Sequence, residues 1–340
     1  MSHVFSPDRA ESAGARQRRG FSAEESRRLT AETFTAQVSA LDGVFPLPGG
    51  GRTQERFEAL AAAGERDVCV ARLLEGHVDA AAILAELGAP PPGPGERWGV
   101  WAAQPPGEGL TAERSGAGWV LRGLKRYCSG AHSCTHALVT AEAPDGGRLF
   151  RVRLGEGTCP VPETWQALGM AGSDTPDVRF DAVSAESLGG VGSYVQRPGF
   201  QHGGVGVAAC WYGGARAVAR TLAEAAARRS EPFTDAHLGA VDMRLHAAGA
   251  VLEQAAREID RDPLDTAGAA RLRSLRVRSF VESVCADVLT HVGRATGAGP
   301  LCHDERHARA AADLTVYIRQ HHAERDLAEL GTLVARQGSL

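Results

Sequence analysis

The sequence predicts an α+β protein with an N-terminal helical domain, a middle β domain and a C-terminal four-helix bundle. Three observations predict it. Apolar residues recur at three- and four-residue steps towards both ends of the chain. Between them lie short runs rich in β-branched and aromatic residues, separated by Gly, Pro and Asp turns. A Pro/Gly segment, APPPGPGE (89–96), parts the first helical region from the β region.

Residues 1–20 read as a disordered tail. They hold no apolar run of the kind a secretory signal needs, and Asp8 and Glu11 count against a transit peptide. Residues 24–42 and 52–88 read as helices, and Gly88 is the expected stop. In the second stretch Phe57, Leu60, Val68, Leu73, Leu74 and Val78 begin an apolar face. The N-terminal helical domain is placed at 21–97 and is short. WGVWAA, GWVLRG, HALVTA, RLFRVRL and DVRFDAV then read as strands of a β domain over 98–188. Residues 189–340 form the predicted bundle, with helices near 204–229, 235–260, 267–296 and 304–330. The second carries Leu238, Val241, Leu245, Ala248, Leu252, Ala255 and Ile259 in one stripe.

Composition excludes several classes. A net charge of −4 argues against nucleic-acid binding by bulk charge. With 23% charged and 43% hydrophobic residues the chain is neither disordered nor collagen-like. No stretch approaches the ~20 apolar residues of a membrane helix. Seven scattered cysteines without a CxxC pair suggest reduced thiols and a cytoplasmic protein. Of the 37 basic residues only Lys125 is lysine, so arginine carries little signal. No metal site is expected.

Two motifs invite a function and lack its context. Gly204-Val-Gly206-Val-Ala-Ala209 matches a dinucleotide fingerprint, but a loop precedes it and no βαβ unit surrounds it. It reads as a Gly-rich, closely packed helix start. His303 and His307 share a helical face at i, i+4. The Glu of a zinc protease motif is absent and no third ligand is near, so a solvated helix start is expected.

Three segments together resemble the acyl-CoA dehydrogenase family. Gly123-Leu-Lys125-Arg-Tyr127-Cys-Ser129-Gly-Ala131, after Trp119-Val-Leu121, resembles its middle-domain "G-x-K-x-W-I-[ST]-N-[GA]" strand. Leu168-Gly-Met-Ala-Gly-Ser173-Asp-Thr175-Pro-Asp-Val178-Arg-Phe180-Asp-Ala-Val183 resembles "G-x-R-x-S-D-T-x-x-[IV]-x-F-x-[DN]-V". Gly293-Arg-Ala-Thr296-Gly297-Ala-Gly299, followed by Ala312-Asp313-Leu314, resembles the Gly-rich turn and "R-D" helix. The resemblance covers about residues 55–331 and implies the same three-part architecture.

It also implies FAD, bound by Ala102, Ala103, Tyr127, Cys128, Ser129, Thr296, Gly297 and Arg325. An aromatic ring and a small hydroxyl suit a flat heterocycle, with strand amides meeting its carbonyls. The implied activity is α,β-dehydrogenation of an acyl-CoA or other acyl thioester, in a homo-oligomer assembled through the bundle, with an electron acceptor left open. The family's base is a Glu eight residues after the Asp of "R-D". Counting from Asp313, that position holds His321, which the helical wheel puts on one face with Leu314, Tyr317, Ile318 and Arg325. Glu224 and Glu253 are other candidates by helix location. The family's substrate-contacting "G-S-D" is replaced by PPGEGLTAE (105–113), and its "R-x-x-F-G" by Arg228-Arg229-Ser-Glu-Pro-Phe233. Two alternatives stay open: a flavin monooxygenase of the same fold, which also carries a late His after "R-D-L", and a catalytically inactive acyl-binding or scaffold relative.

Overall fold

The computed structural model describes residues 22–41, 45–104 and 109–337; the predicted tail at 1–20 lies outside them. Ten helices and seven strands occur among these residues. The N-terminal part holds α1 (Ala23–Ala40), α2 (Thr53–Arg66) and α3 (Val68–Glu86). The expected continuous helix over 52–88 is broken at Asp67. Its extended backbone ends α2, and its carboxylate then accepts the Val70 N–H at 2.9 Å to cap α3. Gly88, at φ +69°, follows the end of α3 as expected.

The β part contains β1 (Trp98–Trp101), β2 (Leu110–Ser115), β3 (Gly118–Lys125), β4 (His136–Ala143), β5 (Gly146–Arg153), β6 (Thr158–Pro160) and β7 (Val178–Leu188). The path β4-β2-β3-β7-β5 closes on itself through the β4–β5 pairing, which makes a barrel; β1 adds to β4, and β6 to β7. Closure leaves the inner strands without free edges. Val178, Phe180 and Val183 all face the barrel core, although two- and three-residue steps separate them. A bulge explains this: the β3–β7 register slips between Leu121 and Gly123, and Ala182 takes φ +53°. One extra residue on β7 resets its inward phase.

The C-terminal part holds α4 (Ser193–Gln196), α5 (Pro198–Arg228), α6 (Pro232–Arg261), α7 (Ala270–Thr296), α8 (Gly299–His303), α9 (Glu305–Tyr317) and α10 (Glu324–Gln337). Proline opens both α5 and α6 at the first helical position, where its missing N–H costs nothing. α5 is the spine: it packs on α2, α3, α6, α7 and α9. Glycines permit the α2 contact, since a Cβ at Gly213 would sit 2.0 Å from the Ala61 carbonyl oxygen.

Three expectations are corrected. Gly204–Ala209 does not start a helix but lies inside α5, with Gly206 against Phe57 and Leu60. His303 and His307 sit on different helices, because Asp304 separates α8 from α9 and caps α9. The helix expected over 304–330 breaks after Tyr317 into a 3-10 turn, Ile318–Gln320, before α10 begins. No described helix is long and apolar enough to cross a membrane. All seven cysteines are free thiols.

Candidate functional site

The two middle-domain motifs meet at one turn. After β3 the chain reverses through Tyr127 (φ +59°) and Gly130 (φ +72°). Cys128 N–H donates to the Pro176 carbonyl at 2.9 Å, and Gly130 N–H donates to those of Ser173 (2.9 Å) and Asp174 (2.8 Å). Asp174 is itself left-handed, at φ +46°, and accepts the His132 N–H at 2.8 Å. Left-handed non-glycine residues cost energy, and only surrounding bonds keep them in place.

Side chains extend the connection. Trp101 indole N–H donates to the Ser129 carbonyl at 3.0 Å. Thr175 donates its hydroxyl to Ser129 Oγ at 3.1 Å and lies 2.7 Å from Ser173 Oγ, which donates to the Met170 carbonyl. Ser129 Oγ, buried, ends this chain of hydroxyls. Tyr127 differs from its neighbours: its ring stands 53% exposed, while Cys128 is buried. Burial pushes the Cys128 thiol well above its ordinary pKa, so it is an inert packing group.

Lys125 supports the same turn from below. Its ammonium, 2% exposed, donates to Thr140 O and Thr140 Oγ1, both at 2.7 Å, and Thr140 donates on to the Ala102 carbonyl at 3.3 Å. Burial lowers its pKa to about 8. Ala102 and Ala103 thus sit at the end of β1 beside the Ser129 turn.

The turn is clasped to the bundle. Met170 N–H donates to Asp313 Oδ1 at 2.5 Å, and Gly169 approaches α9 so closely that a Cβ would lie 2.1 Å from the Ala312 carbonyl oxygen. Burial raises the Asp313 carboxyl to about 6. Two turns further on stands His321, 5% exposed. Its Nδ1 accepts the Ala323 N–H at 3.2 Å, which fixes the neutral tautomer with the proton on Nε2. Nε2 then faces Ser279 Oγ at 2.9 Å and Asp326 at 3.5 Å. Burial holds the imidazole below its usual pKa. These bonds, with Asp326 accepting the His322 N–H, are what breaks the last helix.

The remaining expected residues lie elsewhere. Thr296 bonds its own helix at Val292, and Gly297 ends α7 at φ +63°. Thr296 stands about 25 Å along α7 from Ser279, at ~1.5 Å per residue. Arg325 is exposed, and the break at 318–323 removes the wheel that put it beside His321. Glu224 and Glu253 are surface residues paired with Arg306 and Arg257. Sequence reasoning missed Arg72, Glu75, Trp211 and Arg278, which gather where α3, α5, α7 and α9 meet. The available signal was a charged pair inside the most apolar N-terminal helix.

Comparison with known structures sharpens the picture. No protein-family model and no curated protein matches the sequence. The dibenzothiophene monooxygenase TdsC from Paenibacillus sp. A11-2 superposes over 93% of this chain and 97% of its own, at TM-score 0.74 and 17% identity. A glutaryl-CoA dehydrogenase from Mycobacterium smegmatis, in complex with FADH2, covers 93% and 94% at TM-score 0.74 and 15% identity. Butyryl-CoA dehydrogenase from Megasphaera elsdenii covers 92% and 97% at TM-score 0.73 and 16% identity.

The chain has the acyl-CoA dehydrogenase fold. At these identities the likeness is one of architecture. In that fold the Ser129 turn lies where the barrel meets the bundle, and the Met170–Asp313 bond joins the two.

Proposed function

We propose that the chain is a flavin-dependent oxidoreductase whose flavin lies against Tyr127, Cys128 and Ser129, beside Ala102 and Ala103. One observation carries this reading: the buried Ser129 Oγ, 3.1 Å from Thr175 Oγ1, ends a chain of hydroxyls at the turn that carries the exposed Tyr127. The hydroxyl would meet a ring carbonyl or nitrogen, and the exposed Tyr127 ring would cover the heterocycle. Arg126 adds a second fit, since its buried Nε has no partner among the described residues. Thr296, Gly297 and Arg325 lie off this turn, and in the proposal they serve the flavin of a second copy in a homo-oligomer. FAD is the flavin proposed.

A flavin supplies two-electron transfer and, when reduced, activation of oxygen. The Tyr127–Ser129 turn would hold the ring, and the Met170–Asp313 bond would fix that turn against α9. Two reactions remain. Dehydrogenation of an acyl thioester needs a free base near the α-carbon. His321 has both ring nitrogens engaged, and its neighbours Asp326 and Glu282 are held by the His322 N–H and by Arg319. This favours the oxygen-dependent monooxygenase over the dehydrogenase.

The test is direct. The purified chain is incubated with FAD or FMN, desalted, and its visible spectrum recorded. Bleaching by butyryl-CoA without oxygen supports dehydrogenation. Indifference to butyryl-CoA, with substrate-dependent oxygen uptake alongside a flavin reductase, supports the monooxygenase. A protein that stays colourless overturns both and leaves the acyl-binding scaffold.

A further inference from the structure

Three polar contacts mark the seam between α6 and α7 among the described residues. At one end Arg273 stands 3.9 Å from Glu258. Further along, Arg244 Nε donates to Asp287 at 2.6 Å. At the other end, in the second turn of α6 and near the end of α7, His237 meets His291. Of the three, only the histidine pair changes charge between about pH 5 and 8.

The two Nδ1 atoms lie 2.9 Å apart, and the ring centroids 5.2 Å. Together these distances put both nitrogens on the line between the rings, each aimed at the other. Only one proton fits in that gap, so one Nδ1 donates and the other accepts. A first added proton goes to Nε2 of the donor ring and leaves the bond intact. A second has only the accepting Nδ1 left. Two N–H groups would then face each other at hydrogen-bond distance, and the rings must part.

The surroundings resist that second charge. Both rings are partly buried. Burial, then Arg244 and His237, hold His291 below its usual pKa. Arg294 on α7 acts the same way, and Asp287, which opposes them, is paired with Arg244. On α5, behind both helices, Glu224 is turned to Arg306 of α9. α9 also brings His307 to the groove beside Leu289 and Gly293, and burial holds that imidazole low as well.

We infer that His237 and His291 form an acid-sensitive latch between the start of α6 and the end of α7. It holds while the pair shares a proton between the Nδ1 atoms, and it opens when both rings are charged. Opening loosens the ends that carry Phe233, 82% exposed and one turn before His237, and Thr296 and Gly297. Freed histidines take protons at their ordinary pKa, whereas the closed pair refuses the second. Acid therefore favours the open form as pH falls below 6.5. The latch stands on these two helices alone and does not depend on the flavin reading.

The full-length protein is labelled with 15N at histidine, and its ring nitrogens are followed by NMR from about pH 8 to 5. At the upper end one Nδ1 of the pair should carry a proton and the other none. The pair should then titrate in two steps at least about one pH unit apart. Hydrogen exchange over the same range, corrected for intrinsic rates, reads the opening. Protection across 233–241 and 288–297 should fall about tenfold as the pH drops. His237→Gln keeps an N–H for His291 Nδ1 and takes no charge, so its protection should stay level. His246→Gln, at an exposed histidine further along α6, should behave as wild type. One midpoint shared by both rings overturns the latch. So does a His237→Gln variant that loosens with acid as wild type does. The NMR titration needs no substitution, so it decides the matter even if His237→Gln does not fold.

Discussion

Lys125 combines two roles that usually conflict. It is the chain's one lysine, and the fold buries its charge against Thr140 to brace the strand end beside Ser129. The ammonium's pKa falls from 10.5 to about 8, so at neutral pH burial costs about 3 kcal/mol, at ~1.4 kcal/mol per unit. A lowered lysine pKa means the unfolded chain holds the proton longer. The penalty is full below pH 8 and fades as pH rises through 8 to 10.5. Urea unfolding of wild type and Lys125→Met should therefore diverge with pH. Wild type gains about 3 kcal/mol on the variant between neutral pH and the upper end of that window. A constant difference would mean the ammonium is not held as described. Ser129 makes a narrower prediction. Ser129→Ala deletes a donor and little volume, so flavin affinity should fall about tenfold, near one hydrogen bond's worth, with the melting temperature almost unchanged. Equal flavin retention would remove Ser129 from the site.

At the scale of elements, close backbone contact decides the α2–α5 crossing. Gly213→Ala puts a methyl group 2.0 Å from a carbonyl oxygen, so the helices must part. The expected loss is about 1–3 kcal/mol. Gly239→Ala on the exposed side of α6 meets nothing within 4 Å and should be neutral or stabilising by up to ~1 kcal/mol. Thermal melts of the pair separate crowding from helix propensity; equal shifts would deny the close crossing. Such contacts also mark what the sequence could tell. The helical stripe of α6 and the β-branched and aromatic runs of β4 and β5 are local, and both were legible. β2 was missed because LTAERS buries only Leu110 and Ala112 among its charged neighbours. The breaks at Asp67 and at 318–323 were missed because no Gly or Pro makes them. They rest on side chains of Asp67, His321 and Asp326 bonding backbone N–H groups. Of the site, the Ser129 turn was legible because both its segments carry motifs. The Arg72 cluster was not, since four separate helices contribute to it and each charge alone looks like a surface residue.

At the scale of the whole molecule, a buried carboxylate ties the barrel to α9. Asp313 on α9 accepts the Met170 N–H from the loop that also holds Ser173 and Thr175, so the Ser129 turn depends on a carboxylate many residues away. Burial raises that carboxyl from 3.8 to about 6. The folded state therefore keeps its proton while the unfolded chain loses it. Stability falls as pH rises through 3.8 to 6, by about 3 kcal/mol at most, and the penalty is full above that. Two substitutions separate charge from bond. Asp313→Asn keeps an oxygen for Met170 N–H and removes the charge. It should match or exceed wild-type stability at neutral pH, with the advantage vanishing near pH 4 as wild type becomes protonated. Asp313→Ala also removes the charge but strands a buried N–H, so it should lie ~1–3 kcal/mol below Asp313→Asn at either pH. Because the clasp positions the turn proposed to hold flavin, Ala should also weaken flavin binding, whereas Asn should not. Urea titrations at the two pH values, with flavin retention measured on the same samples, read both effects. If Asn and Ala behave alike, the carboxylate does not act as the clasp, and other contacts, such as Gly192 N–H to the Gly147 carbonyl, hold the barrel to the C-terminal part.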